Sequence, residues 1–233
     1  MHLSKTIGIL GGMGPLATAD LFIKIIANTP AASDQDHLPI IINNNPKIPS
    51  RIHALQAGGQ SPLLQLINSA QMLEKAGADF IIMPCNTAHI WYKEIEDSVG
   101  IPVYHMIHNA VAYTLQDLNG EHEKVLLLAT LPTIETGLYQ KAFEGTSIHL
   151  QIPTIAEQLL VNEAITSVKA GSIENNPFLQ PLNNMLDRYV SNSVLHVLGG
   201  CTELPLLFPY LTEKIGKLDP TLMLAQLAVA KAQ

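Results

Sequence analysis

Short apolar runs alternate with longer stretches of mixed pattern along the chain. The runs are TIGILG (6–11), LPIIIN (38–43), DFIIMP (79–84), PVYH (102–105), KVLLLAT (124–130), SIHLQI (147–152) and SVLHVLG (193–199). Continuous apolar character over so few residues, without polar alternation, predicts strands buried on both faces of a parallel sheet. The intervening stretches carry helix punctuation. SPLLQLINSAQMLEKAG (61–77) offers Ser61 as N-cap, Pro62 at the first helical position and Gly77 past the end. DPTLMLAQLAVAKA (219–232) repeats the device with Asp219 and Pro220. The expected class is α/β.

The pattern occurs twice. In each half a strand ends in small or hydroxyl residues that feed a helix, GILGGMGPLATA and then LLLATLPTIETG. In each half another strand ends at a cysteine, DFIIMPCNTAH and then VLHVLGGCTELP. The cysteines stand half a chain length apart, as two similar lobes facing one another would have them. We therefore expect two pseudo-symmetric lobes, each a mainly parallel sheet flanked by helices, with the active site in the cleft between them. One lobe comprises 1–104 plus 211–233 and carries Cys85; the other comprises 105–210 and carries Cys201. The last helix is expected to pack back on the first lobe.

Gly12-Met13-Gly14-Pro15-Leu16-Ala17 satisfies the dinucleotide pattern G-x-G-x-x-A after a strand. That reading needs an acidic residue at the end of the second strand to hold a ribose. LPIIINNNP ends in asparagines, and Asp34 and Asp36 precede the strand. A dinucleotide site is rejected. No cofactor is expected.

Composition narrows the function classes. The chain has 233 residues, 47% of them apolar and 14% charged, so it can build a sizeable core and is not expected to be disordered. A net charge of −7, with arginine only at 51 and 188 and neither in a basic run, argues against nucleic acid. No apolar run is long enough to cross a bilayer, and MHLSKTIGILGG is too short for a signal peptide. A cytoplasmic location is expected, where Cys85 and Cys201 stay reduced.

Both cysteines follow a strand and precede polar residues at an expected helix start, Asn86-Thr87 and Thr202-Glu203. Unpaired N–H groups and partial positive charge there stabilise a thiolate and can also bind a carboxylate. A single cysteine after an apolar strand is most often a small core residue; two in matching contexts point to function. Neither has metal-ligand spacing, and HMIH (105–108) reads as a buried strand end, so no metal is expected.

GILGGMGPLAT, MPCNTAH and GGCTELPLL, in that order, resemble the aspartate/glutamate racemase family. NNNPKIPSR (43–51), VKAG (168–171) and LDPTLMLA (218–225) extend the likeness end to end. The resemblance implies cofactor-independent racemisation of an amino dicarboxylate, aspartate or glutamate, usually in a homodimer. It implies that Cys85 and Cys201 are the two acid/base groups. Asn86, Thr87, Thr130 and Thr202 resemble the α-carboxylate site, while Arg51 and Lys169 match the residues for the side-chain carboxylate. Met13 borders a glycine turn that lets substrate lie against the backbone. His89 either tunes Cys85 or is an ordinary hydrogen-bonded helix residue. Glu203 either positions Cys201 or caps its helix. Pro132 departs from the family's usual glycine and puts the role of Thr133 in doubt. Rival readings are hydantoin racemisation, maleate isomerisation, arylmalonate decarboxylation and a non-catalytic amino-acid-binding protein.

Overall fold

The computed structural model describes residues 4–55, 58–118 and 123–233. The chain divides into two compact units, Met1–Asn109 with Thr221–Gln233, and Ala110–Pro220.

In the first unit β1 (Ile7–Gly11), α1 (Pro15–Asn28), β2 (Ile40–Asn44), α2 (Arg51–Ala54), α3 (Leu63–Lys75), β3 (Phe80–Ile82), α4 (Tyr92–Glu96) and β4 (Val103–Tyr104) follow one another, and α5 (Met106–Asp117) leads onward. The strands pair in the order β2-β1-β3-β4, all parallel. Strand periodicity sorts the side chains. Leu10, Ile81 and Met83 pack with Leu66, Ala70 and Leu73 of α3. Ile7, Ile9, Phe80 and Ile82 face the other way, against Leu21 and Ile25 of α1. That second face is completed from the far end of the chain by α10 (Pro220–Ala232), through Leu224, Ala225, Ala228 and Val229. The Lys5 N–H donates to the Ala232 carbonyl beside it. Each wholly buried Leu or Ile contributes about 1.5–3 kcal/mol.

The second unit repeats the plan. β5 (Lys124–Ala129), α6 (Leu131–Glu135), α7 (Leu138–Phe143), β6 (His149–Gln151), α8 (Ile155–Lys169), α9 (Leu179–Ser191), β7 (His196–Gly200) and β8 (Gly216–Leu218) give a parallel sheet in the order β6-β5-β7-β8. Leu126, Leu128 and Val197 pack against Val161, Ile165 and Val168 of α8 and Leu182, Met185 and Leu186 of α9. A reciprocal cap starts α8: the Glu157 N–H donates to Thr154 Oγ1, and the Thr154 N–H to Glu157 Oε2.

Three details differ from expectation. β8 is a strand where none was predicted. Pro62 is the cap of α3 rather than its first residue, and the Leu63 N–H donates to Ser61 Oγ. His105 lies in the turn after β4, and Met106, Ile107 and His108 open α5, so HMIH is a helix start rather than a strand end.

Candidate active site

Strand order reverses between β1 and β3 in the first sheet and between β5 and β7 in the second. Such switch points, at the carboxyl ends of the strands, are where parallel α/β sheets bind ligands. Cys85 and Cys201 each follow one of them. The pairing of Ala129 with Gly200 sets Thr130 and Cys201 at the same end of the second sheet.

Beyond β3 the chain turns at Cys85, whose N–H donates to the Met83 carbonyl, and then winds as a short 3-10 helix, Thr87–Trp91. Cys85 is 5% exposed and packs among Leu10, Met13, Met83 and Ala88. Asn86, Thr87 and His89 are buried beside it. The His89 ring lies with Nδ1 2.9 Å from the Cys85 carbonyl, and Nε2 accepts the Met106 N–H at 3.0 Å. Burial pushes this imidazole down to about 4. His89 is therefore hydrogen-bonded to main chain on both sides.

The glycine turn is built against a neighbouring loop. Gly12 has φ +93°, its N–H donates to Thr18 Oγ1 at 2.9 Å, and a Cβ there would meet the Asn45 main chain at 2.3 Å. At Gly12 the close approach that demands glycine is to residue 45. The Met13 side chain is buried in the core, and what it offers at the turn is its carbonyl. Arg51 takes that carbonyl through Nη2 at 3.2 Å, and Nη1 reaches the Ile48 and Pro49 carbonyls at 3.3 and 3.1 Å. Arg51 thus staples its own loop to the glycine turn.

Cys201 follows β7 in a turn closed by the Leu204 N–H on its carbonyl, before the 3-10 helix Pro205–Tyr210. It is 6% exposed and packs with Leu204, Leu207 and Phe208. Its Sγ donates to Glu203 Oε2 at 3.0 Å, and Thr202 Oγ1 stands 3.5 Å from the same oxygen. Glu203 is 2% exposed. Burial, then the Glu203 carboxylate, raises the Cys201 thiol well above its ordinary value, while the Lys169 ammonium works the other way. The sequence reading of a thiolate favoured by a following helix is thus corrected at Cys201: a tight 3-10 turn follows, and burial, then an acidic neighbour, favours the thiol. Glu203 holds the sulfur directly and is more than a cap.

Thr130 precedes α6, with Oγ1 3.0 Å from Thr133 Oγ1. Pro132 fits in the first turn of α6, where the missing N–H costs no helical bond. Lys169 is the exposed last residue of α8, where it complements the helix dipole as well as acting on Cys201.

Three residues escaped the sequence reading. Gln158 Nε2 donates to the Ala129 carbonyl and to Asn162 Oδ1, which also accepts the Leu131 N–H, fixing the turn that carries Thr130. Their i, i+4 spacing beside the buried stripe of α8 was the available signal. Tyr139 is wholly buried and held protonated by burial first and then by Cys201; an aromatic in a short helix gave no sign of this. Among the described residues no three His, Cys, Asp or Glu side chains are grouped to hold a metal ion, and no helix is long and apolar enough to cross a membrane.

The profile of the family described as Asp/Glu/Hydantoin racemase matches residues 10–228. The broad specificity amino-acid racemase RacX of Bacillus subtilis (strain 168) is 29% identical over 229 residues, covering 96% of each chain. The structure of Picrophilus torridus aspartate racemase superposes with a TM-score of 0.85 at 33% identity, over 98% of this chain and 94% of that one. An aspartate racemase homologue from Pyrococcus horikoshii OT3 gives 0.75 at 26% identity, over 98% and 99%.

Proposed function

This chain belongs to the Asp/Glu/hydantoin racemase family, and we propose that it inverts the α-carbon of an acidic amino acid, aspartate or glutamate, without pyridoxal phosphate. The observation that carries the reading is the duplicated one: a buried cysteine after the switch-point strand of each sheet, one accompanied by Asn86 and Thr87, the other by Thr202 and Glu203.

The α-proton of an amino acid is very weakly acidic, so its removal needs a base in contact and donors for the charge that develops. Inversion needs a second group that returns a proton to the opposite face. Cys85 and Cys201 exchange these roles between the two directions. One sulfur, as thiolate, takes the α-proton; the bonding pair is left on carbon and delocalises into the α-carboxylate. The other sulfur, as thiol, gives its proton to that carbon and becomes the thiolate. Asn86, Thr87, Thr130 and Thr202 donate to the α-carboxylate, and Arg51 and Lys169 attract the side-chain carboxylate. Because burial and then Glu203 keep Cys201 protonated, the resting enzyme presents Cys201 as the acid. When Cys201 acts as base, Glu203 is the group beside it that can accept the thiol proton. The enzyme works in the cytoplasm as a homodimer.

Proton NMR in deuterium oxide tests the reading, with each enantiomer of aspartate and glutamate supplied in turn. The α-proton signal disappears while chiral analysis finds the mirror image. Absence of exchange with all four compounds overturns the reading.

A further inference from the structure

Residue 89 contributes to the turn at Cys85 twice. Its main-chain N–H donates to the Asn86 carbonyl, which winds the segment as a 3-10 helix. In an α-helix that N–H would have gone to the carbonyl four residues back, which is that of Cys85. The carbonyl loses its ordinary partner, and the side chain of the same residue supplies another, with Nδ1 at 2.9 Å. The opposite nitrogen, Nε2, receives the Met106 N–H, one of the first-turn donors of α5 that no helical carbonyl reaches.

Two facts of hydrogen bonding fix the proton. A carbonyl only accepts, so Nδ1 carries hydrogen; an amide N–H only donates, so Nε2 carries a lone pair. The neutral Nδ1–H form alone satisfies both, and an imidazolium would set a second N–H against that of Met106. The surroundings agree. The ring is 4% exposed, lies parallel to Tyr92 at 6.0 Å, and is tilted against His105 at 4.6 Å. His108, stacked on His105, opposes a positive charge there as well.

We propose that His89 is a positioning residue, locked in its Nδ1–H tautomer, that ties the main chain of Cys85 to the first turn of α5 and so sets the direction of the Cys85 sulfur. The ring does not act on the thiol itself. The kinetic part rests on Cys85 being an acid/base group; the tautomer and the tie do not.

Substitution separates the two bonds by length. In His89→Asn the amide nitrogen occupies the place of Nδ1 and can donate to the Cys85 carbonyl. In His89→Gln the amide group reaches only the place of Nε2. Nitrogen-15 NMR of the wild-type ring is expected to give a protonated Nδ1 and an unprotonated Nε2 throughout pH 5 to 8. An Nε2–H tautomer, or an imidazolium forming near the ordinary histidine value of about 6.5, overturns the proposal. The carbonyl carbon-13 shift of Cys85 is expected to move in His89→Gln and stay near wild type in His89→Asn. Equal movement in both overturns the tie. For turnover, a misaligned sulfur costs about 10²-fold in kcat; that loss is expected in His89→Gln, with KM little changed, and Asn recovers most of it. Equal kcat in the two variants, with both folded by thermal melting, overturns the positioning role. A wild-type protein inert toward every amino acid sinks the racemase reading and leaves the NMR results to decide the tie.

Discussion

Cys85 and Cys201 occupy equivalent places in two sheets of the same strand order, yet their surroundings differ in kind. At Cys85 the main chain is anchored: its carbonyl meets the His89 ring, and that ring meets α5. At Cys201 the sulfur itself is anchored, on the Glu203 carboxylate at 3.0 Å. One site is held through its main chain, the other through its sulfur. The same strand order therefore carries two cysteines with different hydrogen-bond partners.

The first way to break the comparison is to remove a thiol. Cys85→Ala and Cys201→Ala are each expected to lose about 10⁴-fold or more in racemisation of both enantiomers, followed by chiral chromatography. Near-normal turnover in either would end the symmetric role. Glu203→Gln tests the difference between the sites. It removes the charge that helps keep Cys201 protonated, so the Cys201 thiolate absorbance is expected at lower pH than in wild type and kcat falls about 10²-fold. An unchanged Cys201 titration would deny the carboxylate its effect.

Acid stability sharpens the contrast from the Cys85 side. His89 takes a proton near pH 6.5 when unfolded but only at about 4 when folded, and burial lowers His105 as well. The unfolded chain therefore binds more protons between those limits. The stabilisation is complete above about pH 6.5 and is lost as pH falls toward 4, by about 1.4 kcal/mol per pH unit for His89. Denaturant melts at pH 7 and 5 check this, and His89→Asn flattens the difference. An effect of similar size, on stability more than on turnover, is expected at Arg51. Arg51→Ala frees three carbonyls and is expected to cost about 1–3 kcal/mol of stability. It should also raise KM for aspartate more than for alanine; an equal rise would confine Arg51 to its loop.

The inner strands β1, β3, β5 and β7 were legible because parallel strands covered on both faces are continuously apolar, and the half-exposed edge strands β2 and β6 were legible from shorter apolar runs. β8 escaped because Gly216-Lys217-Leu218 is short, starts with glycine and is charged at its centre. Its register with β7 supplies what its composition lacks. The duplication contained the clue, since Val103–Tyr104 at the matching place in the first half is a strand. Both cysteines were legible from context. For Glu203 the sequence offered two places, at the Cys201 sulfur or as a cap, and could not choose, because a residue two places along a turn can point either way. The closeness of Gly12 to Asn45 could not be read, because that loop is far along the chain and only folding brings it to the turn. Arg51 was read as a ligand for substrate, and the three carbonyls it meets are invisible in a sequence.

The helix at the end of the chain finishes the first sheet, since Leu224, Ala225, Ala228 and Val229 cover Ile7, Ile9, Phe80 and Ile82. During synthesis every strand of the second unit leaves the ribosome before that cover does. The half that is translated first is consequently the last to be closed, and until then a row of isoleucines stands open to chaperones and to other nascent chains.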